Sequence, residues 1–567
     1  MDTTVTVAEA AVHLKPRWNR LDAAQGVVDF ELARQRAISQ RELAQAADVP
    51  RSTLQGWVAR KDRLTALSTR TAFFESPDGQ AFLHELHVAA HLTIKQEGAG
   101  GIRVVKRLFE RAGLAPYIGL SYGAQCAAAE ALEKNILAYG AEQRELLAQM
   151  PHIFITLVED ETFFGKIICL VAMDPVSGFI FVERYVSARD SDTWTAEVKA
   201  ALEGLPITVI QAVSDQAKGL LKHAKEGLLA HHSPDLFHPL HDVYKAIGPT
   251  LSARLRQAEK AYEVAIAAAK AEQAEKQEYL AGVMDRGPGR PPNFAARIDM
   301  TASAEAVAKE TLDAVLAVKA SLSGAVNAVS DAYHPVDLAT GKVQSVAEVA
   351  QRFEQSFAVL ADIADDLDIS ERGQDLLAKA RRMIEPMTET IRFFARSVIG
   401  LLKEANLSSD LISFLIKCLI PLVYLQMAEK KSKGARRQLI RATIAKLTVL
   451  SQAAGSPLID ASDDTRAMLF LLARHCAQLF QRSSSCVEGR NGLLSLQQHA
   501  GRRLPSGRLA VLQILHNFDI QRSDGTTAAQ RLSGTKPPDL FAWLLKRQPM
   551  PPRPMLSSVE RNAKAAA

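Results

Sequence analysis

The sequence predicts an α+β protein: a mixed sheet with a flanking helix, interrupted by a long all-helical insertion and preceded by small helical domains. Three observations carry this. Residues 153–158, 165–173 and 179–186 are short runs of β-branched and aromatic residues, followed by an amphipathic helical stretch over about 192–203 and a fourth apolar run at 207–213. Residues 249–481 are rich in Ala, Leu, Glu and Lys, and no β-rich run breaks them. Ahead of residue 150 stand capped, turn-separated helix patterns.

Composition sets the bounds. A chain of 567 residues has room for roughly three or four domains. Its 47% hydrophobic content is that of a globular protein, and the 6% aromatic share suits a helical majority. The net charge of +5 permits nucleic-acid binding, but only clustered charge would bring it about. The five cysteines are scattered without a CxxC pair, which supports neither a zinc site nor a disulfide framework and fits a reducing cytoplasm. The N-terminus lacks a charged-then-apolar signal pattern. The most apolar run, 411–427, contains Ser413, Lys417 and Pro421, so a buried helix is expected there and no membrane partner.

The stretch "ISQRELAQAADVPRSTLQGWVARKDRL" has a helix-turn-helix pattern. Ser39 and Glu42 form a capping box, Ala47-Asp48-Val49 make a tight turn, and Pro50 opens the next helix. Leu43 and Ala44, then Leu54, Trp57 and Val58, face inward. That leaves Arg51, Ser52, Thr53, Gln55 and Arg60 on an outer face whose side chains suit phosphates and base edges in a major groove. A second helical, HTH-like unit spans 77–150, with Arg103, Lys106, Arg107 and Arg111 on one basic helix.

Beyond the fourth apolar run stand Asp235, His238, His241 and Asp242, whose spacing matches no compact zinc motif. Two long Ala-rich helices over 249–281 and 302–332 are expected to form an antiparallel hairpin with a narrow apolar seam. Gly289-Arg290-Pro291 between them resembles the core of an AT-hook. Near the C-terminus, Glu488 stands among Arg482, Arg490, Arg502, Arg503 and Arg508, the densest basic cluster on this reading. The domains so drawn are 27–66, 77–150, 151–248, 249–481, 482–545 and a basic tail over 546–567.

Three strands, a helix and a fourth strand is the order of a ribonuclease H-like core, with Asp160 at the end of the first strand and Asp215 just past the end of the fourth. With "VEDETFF", "AVSDQAKGL", "CVEGRNG" and the tail "HNFDIQRSDGTTAAQRLSG", the chain resembles the DDE-type transposases over about 150–520. The resemblance implies that Asp160, Asp215 and Glu488 hold two Mg2+ or Mn2+ ions through hard oxygen ligands. It implies DNA cleavage at the ends of a mobile element followed by strand transfer, double-stranded DNA as partner with Arg490, Arg502 and Arg503 on its phosphates, at least a homodimer on DNA, and a cytoplasmic, nucleoid-associated location. Two departures accompany it. The interval from Asp215 to Glu488 is long, and Glu159 and Glu161 flank Asp160. Two other readings stand beside it: a ribonuclease H-like nuclease without joining activity, with Asp235 as third ligand, and a domesticated, non-catalytic DNA-binding protein.

Overall fold

The computed structural model describes residues 20–62, 69–283, 289–501 and 504–552. The chain divides into two compact units. One comprises Met1–Leu146, Leu496–Thr527 and Lys536–Ala567, and the other Leu147–Ser495 and Ala528–Thr535.

The first unit opens with helices Arg20–Gln35, Gln40–Ala46 and Arg51–Val58. Ser39 caps the second helix in a reciprocal box with Glu42, and Asp48 turns the chain at φ +50°. Ala23, Val27, Ala44, Val49, Leu54 and Trp57 form its small core. The first helix starts ahead of the boundary at residue 27. Its Gly26 lies so close to Trp57 that a β-carbon there would stand 2.8 Å from the indole ring. Helices Pro77–Ala90, Ile102–Arg111 and Tyr122–Leu147 follow. C-terminal segments complete this unit: Arg508 donates to Gln96 (2.7 Å), Tyr139 to the Pro538 carbonyl (2.5 Å) and Trp543 to Glu142 (2.9 Å). Residues 504–527 and 536–552 therefore belong with the N-terminal helices, not with the core segment drawn over 482–545.

The second unit holds a five-stranded sheet of β1 (Ile153–Phe164), β2 (Ile167–Met173), β3 (Ile180–Val186), β4 (Ile207–Ser214) and β5 (His231–Pro234), in the order β3-β2-β1-β4-β5. β2 is antiparallel to β1 and β3, while β4 is parallel to β1 and β5 parallel to β4. Asp174 makes the β2–β3 turn by accepting hydrogen bonds from Ser177, with Gly178 at φ +78°. The helix Ser191–Leu202, capped by Asp190, buries Trp194.

The rest of this unit is helical from Phe237 to Gln478, apart from an isolated bridge between Val336 and Val343. Its first helix, Phe237–Leu280, begins ahead of the boundary at residue 249 and runs through Pro249. It pairs with Phe294–Ala332: Arg297 reaches back to Glu272 (2.8 Å) and Glu275 (2.5 Å), and Tyr279 meets Phe294 at 5.3 Å. Gly289, Arg290 and Pro291 are exposed beside this pair. A single apolar core joins these helices to those from Val346 to Gln478. By length and composition, Phe294–Ala332 and Ser409–Lys431 are the two helices among the described residues able to cross a membrane. In the second, residues Leu415 and Cys418–Leu425 are buried in the helical core.

Candidate active site at the strand ends

The β1–β4 ladder ends at the pair Val158–Val213, and the β4–β5 ladder ends at Ser214–Pro234. Asp160 and Asp215 each stand two residues beyond the first ladder's last pair. Asp235 follows Pro234 directly and donates its N–H to the Ser214 carbonyl (3.0 Å). Three aspartates thus sit where the pairing of β1, β4 and β5 ends. Asp160 is not at the end of its own strand, because β1 continues against β2 as far as Phe164, Asp160 itself pairing with Val171.

Asp160 is half-buried. Its Oδ1 accepts from the Glu161 N–H (2.9 Å) and its Oδ2 from the Asn491 amide (2.9 Å). Burial above all, with Glu161 and Asp215 adding negative charge, raises its carboxyl to about 6. The flanking glutamates are engaged elsewhere: Glu159 accepts from His223 (3.1 Å), and Glu161 pairs with Arg189. Asp215 accepts from the Ala217 N–H (2.9 Å) and, with Asp235, His238 and Asp242, lines a cavity of about 250 Å3. Asp235 is fully buried; its Oδ1 accepts from the Ser484 N–H (3.0 Å), while Oδ2 has no hydrogen-bond partner and lies 3.7 Å from His238.

The helix Ser485–Gly501 crosses this region. Glu488 is exposed on its first turns, touched by the Ser484 hydroxyl at 3.4 Å, and Asn491, one turn on, holds Asp160. Ser484 therefore links Asp235 to Glu488. The approach to this helix is fixed by Leu236, which donates to the Arg482 carbonyl (3.0 Å), and by Gln211, which donates to the Gln481 carbonyl (3.3 Å). These bonds join the two ends of the helical insertion.

Among the described residues no three His, Cys, Asp or Glu side chains gather as a metal-holding group. The chemistry of the donors still suits a divalent cation in part. Asp160 and Asp215 offer hard oxygens at the end of the β1–β4 ladder, where burial first, and the neighbouring carboxylates after it, hold the Asp160 carboxyl up. Asp235 Oδ2 is an unpaired buried oxygen beside them.

Of the expected DNA contacts, Arg51, Ser52, Gln55 and Arg60 are exposed and Thr53 is half-buried. Arg490 is corrected: it is buried, and its guanidinium donates to both oxygens of the buried Glu183 at 2.6 and 2.7 Å, which leaves it no phosphate to meet. Arg508 is likewise engaged, by Gln96. Arg502 and Arg503 lie outside the described residues, as does the tail beyond residue 552. Sequence reasoning missed Asn491 and Ser484, although the three-residue spacing from Glu488 places Asn491 on the same helix face. It also missed a denser basic run: residues 428–446 carry seven cations (Lys430, Lys431, Lys433, Arg436, Arg437, Arg441, Lys446) against Glu429 alone.

No curated protein matches the chain. A family model described as a family of unknown function (DUF6399) matches residues 415–560, about a quarter of the chain, a stretch that includes the basic run, Glu488 and Asn491.

Proposed function

We propose that this protein is a DDE-type transposase that cleaves DNA at the ends of a mobile element and transfers the strand to a target. The observation that carries the reading is the row of carboxylates where the β1–β4 and β4–β5 ladders end, crossed by the helix that bears Glu488. The strand order, with β2 alone reversed, supports it, because it is the order expected of a ribonuclease H-like core. Two divalent ions, when bound by such carboxylates, activate the attacking water or 3′-hydroxyl and stabilise the leaving oxygen. Asp160 and Asp215 are the residues to hold them, and Glu488 is the third donor. Asn491 positions Asp160 by fixing its Oδ2, and the Ala217 N–H fixes Asp215. The exposed outer face of Arg51–Val58 supports site recognition by this helix.

A second reading, a nuclease without joining activity, draws on the unpaired buried Oδ2 of Asp235. One experiment separates the two. The full chain is incubated with Mg2+ and supercoiled plasmid carrying the DNA that flanks its own gene, and both nicked and joined products are scored. Asp160→Asn, Asp215→Asn and Glu488→Gln are each expected to abolish both products and leave DNA binding intact. Cleavage that survives Glu488→Gln, is lost in Asp235→Asn and never yields joined product selects the nuclease. Cleavage untouched by Asp160→Asn and Asp215→Asn overturns both.

A further inference from the structure

The helical part of the second unit contains a cavity of about 330 Å3 with no Asp or Glu in its lining. Its charged walls are Lys431, Arg436 and Arg482, and the Ser432, Ser483 and Ser485 side chains add hydroxyls. Arg482 is the unusual member. Its guanidinium donates to the carbonyls of Ser330 (2.7 Å) and Tyr333 (2.9 Å), and it makes no salt bridge among the described residues. Arg482 is half-buried, and a cation partly withdrawn from water normally has a carboxylate beside it. Here Asp331, the acid whose charge acts on Arg482, is bound to Arg436 at 2.5 Å. His334, also in the wall, is fully buried and bonded to Tyr424; burial, then Arg482 and Arg436, hold its pKa far below the usual range, so it adds no charge. The cavity is therefore a net-positive pocket, because Asp331 offsets only part of the charge of Lys431, Arg436 and Arg482.

The surface outside continues the same sign. Lys430, Lys431 and Lys433 are exposed and have no ion-pair partner among the described residues. Lys431, Lys433 and Arg436 also line the adjoining open cleft, whose one acid is the Asp331 already paired with Arg436, and Arg437 and Arg441 share the single Glu429. From Lys433 to Arg441 the start of the helix Gly434–Ser451 presents cations over about 12 Å, the reach of roughly three phosphates of one strand rather than one. Ser485, in the cavity wall, begins the helix that carries Glu488.

We propose that this cavity and the lysine-rich cleft outside it bind successive phosphates of a DNA strand and lead that strand towards the Glu488 helix. The anion-binding character follows from the cavity itself. The choice of DNA as the phosphate source rests on the function proposed above.

The test uses the full chain, a labelled random-sequence duplex of about 30 base pairs, and ATP as a free-nucleotide probe. Lys431→Gln with Lys433→Gln changes only exposed side chains, so the fold is retained. The double variant is expected to weaken duplex binding about five- to tenfold at moderate salt and to lower the salt slope by about two. Saturating duplex is also expected to shield Lys430, Lys431 and Lys433 from amine acetylation. Unchanged affinity and slope, or acetylation indifferent to DNA, overturns the proposal. Tight ATP binding that the double variant loses, with duplex affinity untouched, overturns DNA as the source. Asp160→Asn protein in the same titration keeps the two readings apart. Lysine-dependent binding without any cleavage would defeat only the chemistry, and metal-dependent cleavage with lysine-independent binding would defeat only this groove.

Discussion

Asp160 stands at odds with the stability of its own fold. Its carboxyl titrates at about 6 in the folded chain, against 3.8 ordinarily, so the native state resists its ionisation. For a raised carboxyl, the penalty is complete above the folded value and vanishes below the unfolded one. Asp160→Asn should therefore stabilise the protein at about pH 7.5, by no more than about 3 kcal/mol, with the gain shrinking towards pH 5. Thermal melts of the two proteins at both pH values check this, and a uniform loss of stability would refute it. Asn491→Ala should push the same carboxyl higher by removing a donor to its ionised form, moving the acid limb of any metal-dependent cleavage to higher pH. The Arg490–Glu183 pair makes a contrasting case, because both charges are buried and satisfy each other. Arg490→Ala strands Glu183 and should cost about 3–5 kcal/mol in a urea titration, while Arg490→Met with Glu183→Leu should cost much less.

At the scale of elements, the first four strands were legible because each is a run of β-branched or aromatic residues bounded by turn formers. β5 was not: its sequence, His-His-Ser-Pro, has no strand signal, and it forms because β4 offers a parallel edge from Gln211 to Ser214. Proline misled at residue 249, where a helix start was read and the helix instead begins at Phe237 and carries the ring in its interior. In the candidate site, strand order alone placed Asp160 and Asp215. Asn491 and Ser484 were invisible, because their partners lie 331 residues away at Asp160 and 249 residues away at Asp235. The Arg51–Val58 helix has its expected buried residues, Leu54 and Trp57, and an exposed polar face. Arg51→Ala with Gln55→Ala should weaken binding to the element's own ends at least tenfold in a gel-shift titration and leave random-sequence binding nearly unchanged. Equal losses on both DNAs would show that this helix does not read sequence.

For the whole molecule, the division of labour does not follow chain order. The first unit takes its N-terminal helices and two C-terminal segments, tied by Arg508 to Gln96, Tyr139 to Pro538 and Gln548 to the Ala128 carbonyl. Truncation after Ser495 removes all of these partners at once. The truncated chain should expose Pro77–Leu147 to limited proteolysis while peptides from β1–β5 stay protected, as mass spectrometry of the digest would show. The insertion is isolated in a different way. Because Leu236 bonds to Arg482 across its mouth, its length does not strain the site, and loop closure costs grow only slowly with length.

The 307 residues between Glu183 and Arg490 also measure time. At a synthesis rate of about 5–20 residues per second, β3 leaves the ribosome roughly 15–60 s before the cation that neutralises its buried glutamate. Throughout that interval the nascent sheet carries an unanswered charge, and the strand ends lack the helix that will cross them. The chain is thus born with a waiting period, during which the half-built sheet exposes edges and apolar surface that its later segments will cover.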